Sequence, residues 1–570
     1  MNNMKKILNC LKLGFTALTA ALVLAGSGSA FAATDPPRLS VDEQLRLGER
    51  MYREGILPSG EPMKAFVSGD VPVDGTAFTC VSCHLRSGLG SVEGEVITPP
   101  TNGRILYQPR ESYIKGSAFV PSYSNYAKYL PVRPAYTDET LATLIAAGVD
   151  PTGRSVVKVM PRYEIDDRDM AILIAYLKTL SGQPSPGVSE KHISFATVIV
   201  EGTDPVAVES MVLPLQFSVD RKNALAAASK ANDRVARMGY NMLGDLHSYT
   251  FSLSRWILKG APETWRAQLE DYYRKEPVFA LLGGISPGTW EPVHRFCEEH
   301  KIPDLIPIVN EPVISDHDWY TLYLSRGVRQ EGEAAAGYLK SMSDLIKDRT
   351  IVQITRDNRR GQALADGFSS TWLAAGHKPA INIQLPAGDP LSAEKLQQIV
   401  TQDKPAVLLI WDDASLLPAL TALAEQADHP DMVMVSGTWL GKQAKNLPGS
   451  LRKLVYLTWP YRLPQEDKRF DIAARKVLAG KRPNNYDPII VRQEYVAQEL
   501  LGKALMDMRG EYYRDFLLDT IGMMEDQYFP LYERLSFGPG QRYASKGCFI
   551  VQVSPGENPK LERRSEWMMP

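Results

Sequence analysis

VFALLGGISPGTWEPVHRFCEEHKIPDLIPIVNEP, residues 278–312, reads as one full unit of alternating structure. An apolar run ends at Gly283-Gly284, and a loop bearing Ser286 and Thr289 follows. A helical pattern opens near Glu291, and a second apolar run comes after the turn at Ile302-Pro303. Strand, glycine turn, helix and strand at this spacing predict parallel strands joined by a helical crossover.

The same alternation extends on both sides. Apolar runs occur at ISFATVIV (193–200), LIPIV (305–309), TIVQIT (350–355), AVLLIW (406–411), MVMVSG (432–437) and LVYLTW (454–459). Helical patterns lie between them, such as EGEAAAGYLKSMSDLI (331–346) and LLPALTALAEQA (416–427). Strands buried on both faces read as continuous apolar runs, so parallel sheets covered by helices are expected. The stretch 192–556 is too long for one sheet and predicts two α/β lobes, with a C-terminal tail at 557–570.

A proline-, glycine- and serine-rich segment, SGQPSPGVSE (Ser181–Glu190), separates this part from what precedes it; the linker is set at 183–191. Residues 40–182 show almost no strand pattern. They hold three amphipathic helix candidates, SVDEQLRLGERMYREGIL (40–57), TDETLATLIAAGV (137–149) and DDRDMAILIAYLKTL (166–180), with long proline- and glycine-rich loops between. Ser40 with Glu43 has the form of a helix start. This region is expected to be all-α. At the extreme N-terminus, Lys5 and Lys6, an apolar core and Ala30-Phe31-Ala32 form the pattern of an export signal over residues 1–32. The mature chain is expected to be soluble and exported into the periplasm of a Gram-negative-type bacterium. The net charge of −2, without a basic run, excludes nucleic acid as a natural partner.

Four of the five cysteines lie beyond that signal. Cys80-Val81-Ser82-Cys83-His84 is the pattern of covalent haem c attachment: two thiols at the spacing of the porphyrin vinyl groups, followed by an imidazole to ligate the iron. A disulfide or half a zinc site are the other uses of such a turn, but a zinc site needs two further ligands. His84 is the only histidine between the signal and the linker. The sixth iron position therefore falls to a methionine, with Met160, Met170 and Met63 as candidates. Met170 belongs to the apolar face of its helix. Met160 is held extended by Pro161 in a loop, which favours it. One covalently attached haem c is the expected cofactor, with His84 and Met160 on its iron. Cys297 and Cys548 form either a disulfide or two buried thiols.

On these residues, 40–182 resembles a class I cytochrome c domain: Gly48 and Tyr52 on the first helix, Cys80 to His84, Met160-Pro161, and Ala175-Tyr176-Leu177 on the last helix. The resemblance implies that Gly48 and Tyr176 meet where the terminal helices cross. It also implies that Pro99 or Pro100 accepts the free His84 N–H, and that Arg104 meets a haem propionate. The stretch between Leu57 and Cys80 is longer than in compact members of that family. Residues 192–556 resemble the type I periplasmic binding-protein fold of branched-chain amino-acid receptors. The resemblance rests on 278–312, on RGVRQEGEAAAGYL as the crossover and on RDNRRGQALADGFSSTWLAAGH as the next strand–helix unit. It implies a ligand cleft with Ser286 and Thr289 near a ligand carboxylate, Asn310 facing the cleft, and Asp412 or Asp413 on a ligand ammonium. Pro287 and Trp290 make the Ser286 loop bulkier than in amino-acid receptors.

The expected function is an exported monohaem cytochrome passing single electrons to periplasmic or membrane redox partners, coupled to a receptor-like ligand-binding or docking module. The alternative is a solute-binding receptor of an ABC-type transport or sensing system with an accessory haem. No dinucleotide fingerprint or catalytic triad is present, and an enzyme is not expected.

Overall fold

The structure, a computed structural model, describes residues 39–67, 71–94, 96–111, 130–342, 346, 349–466, 485–529, 532–538 and 540–569. The export-signal expectation, residues 1–32, lies outside them.

The N-terminal region runs α1 (Val41–Glu54), β1 (Lys64–Val67), β2 (Val71–Asp74), α2 (Cys80–His84), β3 (Ser91–Glu93), β4 (Val96–Thr98), α3 (Gly103–Leu106), α4 (Asp138–Ala147), β5 (Arg162–Glu164) and α5 (Asp167–Thr179). Ser40 opens α1 by accepting the Glu43 N–H at 3.2 Å, and Gly55 closes it in the left-handed region. Leu47, Met51 and Tyr52 form its buried stripe against α5. The crossing is close because position 48 has no side chain. A Cβ there would sit 2.5 Å from Tyr176 Cβ and 2.7 Å from the Ile172 carbonyl.

The expectation of an all-α region is corrected. β1 pairs antiparallel with both β2 and β5, and β3 with β4 forms a hairpin. The long stretch before Cys80 thus folds into a small sheet that recruits the segment after Met160. Strands of three or four residues are too short to leave an alternating pattern. Pairing across about a hundred residues, not local propensity, holds them.

The remainder builds two lobes. The first holds β6 (Val188–Ser189), β7 (His192–Val200), α6 (Pro205–Ala231), α7 (Asp233–Leu243), β8 (Thr250–Leu258), α8 (Trp265–Lys275), β9 (Ala280–Leu282), α9 (Glu291–His300), β10 (Asp304–Leu305) and β11 (Thr321–Leu322). Its sheet has the order β11-β10-β9-β7-β6, with β8 also on β7. All pairs are parallel except β6–β7. The second lobe holds α10 (Val328–Ser341), β12 (Ile351–Arg356), α11 (Arg359–Ala374), β13 (Ile381–Leu385), α12 (Ala393–Asp403), β14 (Val407–Trp411), α13 (Leu417–Ala424), β15 (Met432–Ser436), α14 (Gly437–Leu440) and β16 (Val455–Trp459). The chain then returns to lobe one with α15 (Pro488–Asp507), α16 (Arg514–Gly522) and the hairpin β17 (Gln527–Phe529) and β18 (Tyr532–Leu535). It ends in lobe two as β19 (Phe549–Val553) and β20 (Leu561–Arg563). The second sheet has the order β13-β12-β14-β15-β16-β19-β20, parallel through β16 and antiparallel beyond.

The predicted strands at 193–200, 350–355, 406–411, 432–437 and 454–459 are all present. Two boundaries move. Val188 and Ser189, placed in the linker, join the first sheet through β7. The tail at 557–570 is an edge strand: Leu561–Arg563 pairs with β19, and Met568 pairs with Cys548.

The N-terminal region docks on lobe one around α16. Arg53 pairs with Asp515 at 2.9 Å, Lys301 with Glu49 at 2.7 Å, and Arg104 with Glu511. The Arg86 guanidinium lies 4.5 Å over the Trp319 ring. Asp519 accepts the Ser87 N–H at 2.8 Å. Burial, followed by the neighbouring Asp515 charge, pushes the Asp519 carboxyl up to about 6.

Candidate functional site

The cleft between the lobes is made where the chain passes from one sheet to the other. Leu324 packs in the core of lobe one and Val328 in one core cluster of lobe two, Glu331 comes three residues after Val328, and Tyr461 packs against the lobe-one core and another cluster of lobe two. A cavity of about 390 Å³ lies there. Lobe one lines it with Ile285, Ser286, Ile308, Asn310, Gln493 and Tyr532, and the opposite wall carries Glu331, Thr438 and Tyr461.

The loop after β9 is set by its glycines. Gly283 and Gly284 both have positive φ, 60° and 102°, a region that residues with a Cβ seldom adopt. They turn the chain so that Ile285 continues the sheet by bridging Ile199 and Ile308, and Ser286 arrives at the cavity. The Ser286 hydroxyl is already spent. It donates to the Thr289 carbonyl at 3.0 Å and accepts the Gly288 N–H at 3.1 Å.

The other expected cleft residues divide. Asn310 lines the cavity, and its carbonyl accepts the Val328 N–H at 3.1 Å. Thr289 does not line it. Its hydroxyl accepts the Glu291 N–H at 3.2 Å and so opens α9. Asp412 is corrected as a cleft carboxylate: it is buried in a two-pronged pair with Arg356 of the neighbouring strand, Oδ1 to Nε at 3.0 Å. Asp413 is corrected likewise. Its carboxylate accepts the Ser415 N–H at 2.8 Å and starts the turn before α13. Trp290 does not crowd the cleft. It is 1% exposed, packs beside Trp265 and Phe296, and donates its indole N–H to Asp304 at 2.8 Å.

Sequence reasoning missed Asp204, Glu331 and Asp487, the three carboxylates that line the cavity. Asp204-Pro205 and Asp487-Pro488 each precede an apolar helical run, which is a legible helix start. Nothing local says that those starts face a cleft. Glu331 lies in the segment already taken as the crossover. Its carboxylate accepts the Ser436 hydroxyl at 2.8 Å and the Thr458 hydroxyl at 2.6 Å, and burial raises its pKa above the usual range.

The cysteine turn lies in the other region. Cys80, Cys83 and His84 share α2, one short helix. The His84 Nδ1 lies 2.8 Å from the carbonyl of Pro99, and not of Pro100, which leaves Nε2 for another partner. Burial drops the His84 pKa to about 4 and lifts the Cys80 thiol to about 12. Met160 is partly buried against the same core as Cys80, whereas Met170 and Met63 are fully buried within it. Asn102, just past Pro99-Pro100, is buried with neither side-chain amide atom hydrogen-bonded. Arg104 turns instead to Glu511 of lobe one. Cys297 and Cys548 are both buried free thiols. No group of three or more His, Cys, Asp or Glu able to hold a metal ion occurs among the described residues.

Asp304 gives a testable pH dependence. Burial pushes its carboxyl up to about 7. A folded-state pKa above the unfolded value means that folding binds the proton. The stabilisation is complete below the ordinary carboxylate range and is lost as pH rises towards 7. Asp304→Asn should therefore gain on the native protein by about 1.4 kcal/mol per pH unit between about 4 and 7. Asp519→Asn should do the same up to about pH 6. His84, with its lowered pKa, opposes this trend in the native protein. The comparison is therefore variant against native protein at each pH in urea titrations, and a constant difference across the range would refute it.

Residues 258–525 match the family described as "Periplasmic binding protein". Among solved structures, an ABC transporter substrate-binding protein from Sphaerobacter thermophilus aligns with a TM-score of 0.50 and 13% identity. The alignment covers 66% of this chain and 98% of that one, and shows a shared fold. An ABC-transporter solute-binding protein from Rhodopseudomonas palustris, in complex with 3,4-dihydroxybenzoic acid, aligns at 0.48 and 13% over 67% and 99%. A leucine-binding protein from Thermotoga maritima aligns at 0.46 and 12% over 66% and 99%. No curated protein matches the chain. The two-lobed part thus has a periplasmic-binding-protein-like fold. These findings overturn the expectation that the chain is chiefly a cytochrome passing electrons. Two thirds of it aligns with the fold of a solute-binding protein, and residues 258–525 match the periplasmic binding-protein family. No helix among the described residues is long and apolar enough to cross a membrane.

Proposed function

We propose that the protein is an exported solute-binding receptor of an ABC-type transport or sensing system, carrying a covalently attached haem as an accessory. The observation that carries the receptor reading is the cavity of about 390 Å³ at the crossing of two sheets, the size of a small-molecule site and bounded by both lobes. Binding draws the lobes together, because a ligand touching both walls favours the closed arrangement by its extra contacts. No residue is assigned a catalytic role.

The haem reading rests on the turn itself. Cys80 and Cys83 would hold the porphyrin by thioether bonds, and His84, through Nε2, and Met160 would supply ligands to its iron. The Pro99 carbonyl orients the His84 ring through Nδ1. When bound, the group supplies an iron centre that changes oxidation state reversibly.

Both parts are open to direct test. Calorimetric screening of the full-length mature protein against a solute library, followed by small-angle X-ray scattering, should find a saturable ligand that reduces the radius of gyration. A library-wide lack of binding and compaction would remove the receptor reading. A reduced pyridine haemochrome spectrum of the c type, lost in the Cys80→Ala/Cys83→Ala variant, is expected from cells able to mature cytochromes. A colourless native protein would remove the haem and leave the receptor untouched.

A further inference from the structure

We infer that the cleft takes an organic cation, an amine or ammonium on a small apolar body, and excludes carboxylates. This rests on the receptor reading above and names the ligand class of that site.

The argument is a count of donors and acceptors. The cavity is lined by the acidic residues Asp204, Asp487 and Glu331, and by no lysine, arginine or histidine among the described residues. A ligand carboxylate in a receptor of this shape needs free N–H or O–H groups, normally at helix starts. Here the starts of α6 and α15 are capped from within, and at the uncapped start of α10 the Gly327 N–H goes to Ser325 Oγ at 3.1 Å and the Val328 N–H to the Asn310 carbonyl at 3.1 Å. Asp204 Oδ1 takes the Val206 N–H of α6 at 3.0 Å. Asp487 Oδ1 takes the Ile489 and Ile490 N–H groups of α15 at 2.8 and 3.2 Å. Pro205 and Pro488 remove one further donor from each start. Thr289 caps α9, and Ser286 has given its proton to the Thr289 carbonyl. An incoming carboxylate would meet like charges and donors already committed.

An ammonium group meets the opposite situation. One oxygen of Asp204 and one of Asp487 take no hydrogen bond among the described residues, and Glu331, whose Oε2 already accepts the Ser436 and Thr458 hydroxyls, adds its negative charge from the facing wall. The negative field is also felt by Tyr461. Its phenol is pushed up first by burial, then by the Glu331 charge, and further by Asp487. Tyr461 and Tyr532 line the same cavity with ring centroids 6.0 Å apart and planes 62° apart. Two tilted aromatic rings suit an alkyl or aryl body and add cation–π attraction.

The test uses ligands that share one body and differ in charge: 3-methylbutylamine, 3-methyl-1-butanol, 3-methylbutanoate and leucine, with 2-phenylethylamine, 2-phenylethanol, phenylacetate and phenylalanine as a larger set. Calorimetry on the full-length mature protein should show at least one amine binding about tenfold or more tighter than its alcohol, carboxylate and amino-acid counterparts. Glu331→Gln and Asp487→Asn should each weaken that amine by about tenfold and leave the matching alcohol unchanged. Asn is itself a good helix cap, so the second variant keeps α15 intact. Preferential binding of an alcohol, a carboxylate or an amino acid would overturn the inference and leave the receptor reading standing. If no amine binds, the inference falls, and the receptor reading is decided by the solute-library experiment.

Discussion

Arg514→Ala should destabilise lobe one by about 3–5 kcal/mol, since it strands several buried acceptors at about 1–3 kcal/mol each. Arg514 is the first residue of α16 and is 7% exposed. Its guanidinium donates to the Phe279 carbonyl at 3.1 Å, the His300 carbonyl at 3.2 Å, the Lys301 carbonyl at 3.3 Å and the Tyr273 hydroxyl at 3.0 Å, and also to the Val278 carbonyl. One side chain thus fastens a late helix to the approach of β9 and the end of α9. Truncation strands those buried acceptors, and lysine cannot replace a five-donor fork. Urea unfolding should show an early lobe-one transition. Because α16 also carries Asp515 and Asp519, limited proteolysis should show the N-terminal region released with it. A shift below about 1 kcal/mol would mean that the network is dispensable.

Asp412→Ala should cost a similar amount while leaving solute affinity unchanged. The Arg356 and Asp412 side chains are 6% and 2% exposed, so removing the carboxylate leaves a buried guanidinium whose remaining hydrogen-bond partners among the described residues are backbone carbonyls, those of Pro386 at 2.6 Å and of Asp389. About 3–5 kcal/mol is expected for breaking such a pair. Arg356→Met with Asp412→Leu should recover most of it, since two apolar side chains replace two desolvated charges. The pairing of readouts matters. Lost solute affinity at unchanged stability would return Asp412 to the cleft, against its position in the structure.

That reversal illustrates where the sequence was legible. Strands such as Val407–Trp411 and Met432–Ser436 are buried on both faces, so each is an unbroken apolar run, and the alternation with helices was plain. The Gly283-Gly284 turn was equally plain, because two consecutive glycines mark backbone that other residues avoid. What Asp412 does was not legible. An acid after a strand can face a cleft or a neighbouring strand, and the arginine that claims it lies 56 positions away. The sites of Asp204 and Asp487 failed for the same reason. Their role as helix caps is local, but their convergence on one cavity is made by chain segments far apart. The tail around Leu561 has no alternation at all. It is an edge strand, recruited by β19, and edges carry little apolar pattern.

The order in which the lobes are completed has a temporal consequence. Lobe one begins at β6 but receives α15 and α16 only after nearly all of lobe two, and lobe two receives β19 only near the end. Phe195 and Leu518 share one core across more than three hundred positions. Neither core can close on a partly synthesised polypeptide, and contacts so distant along the chain form slowly. A nascent chain of this design leaves both lobes open until translation is almost finished.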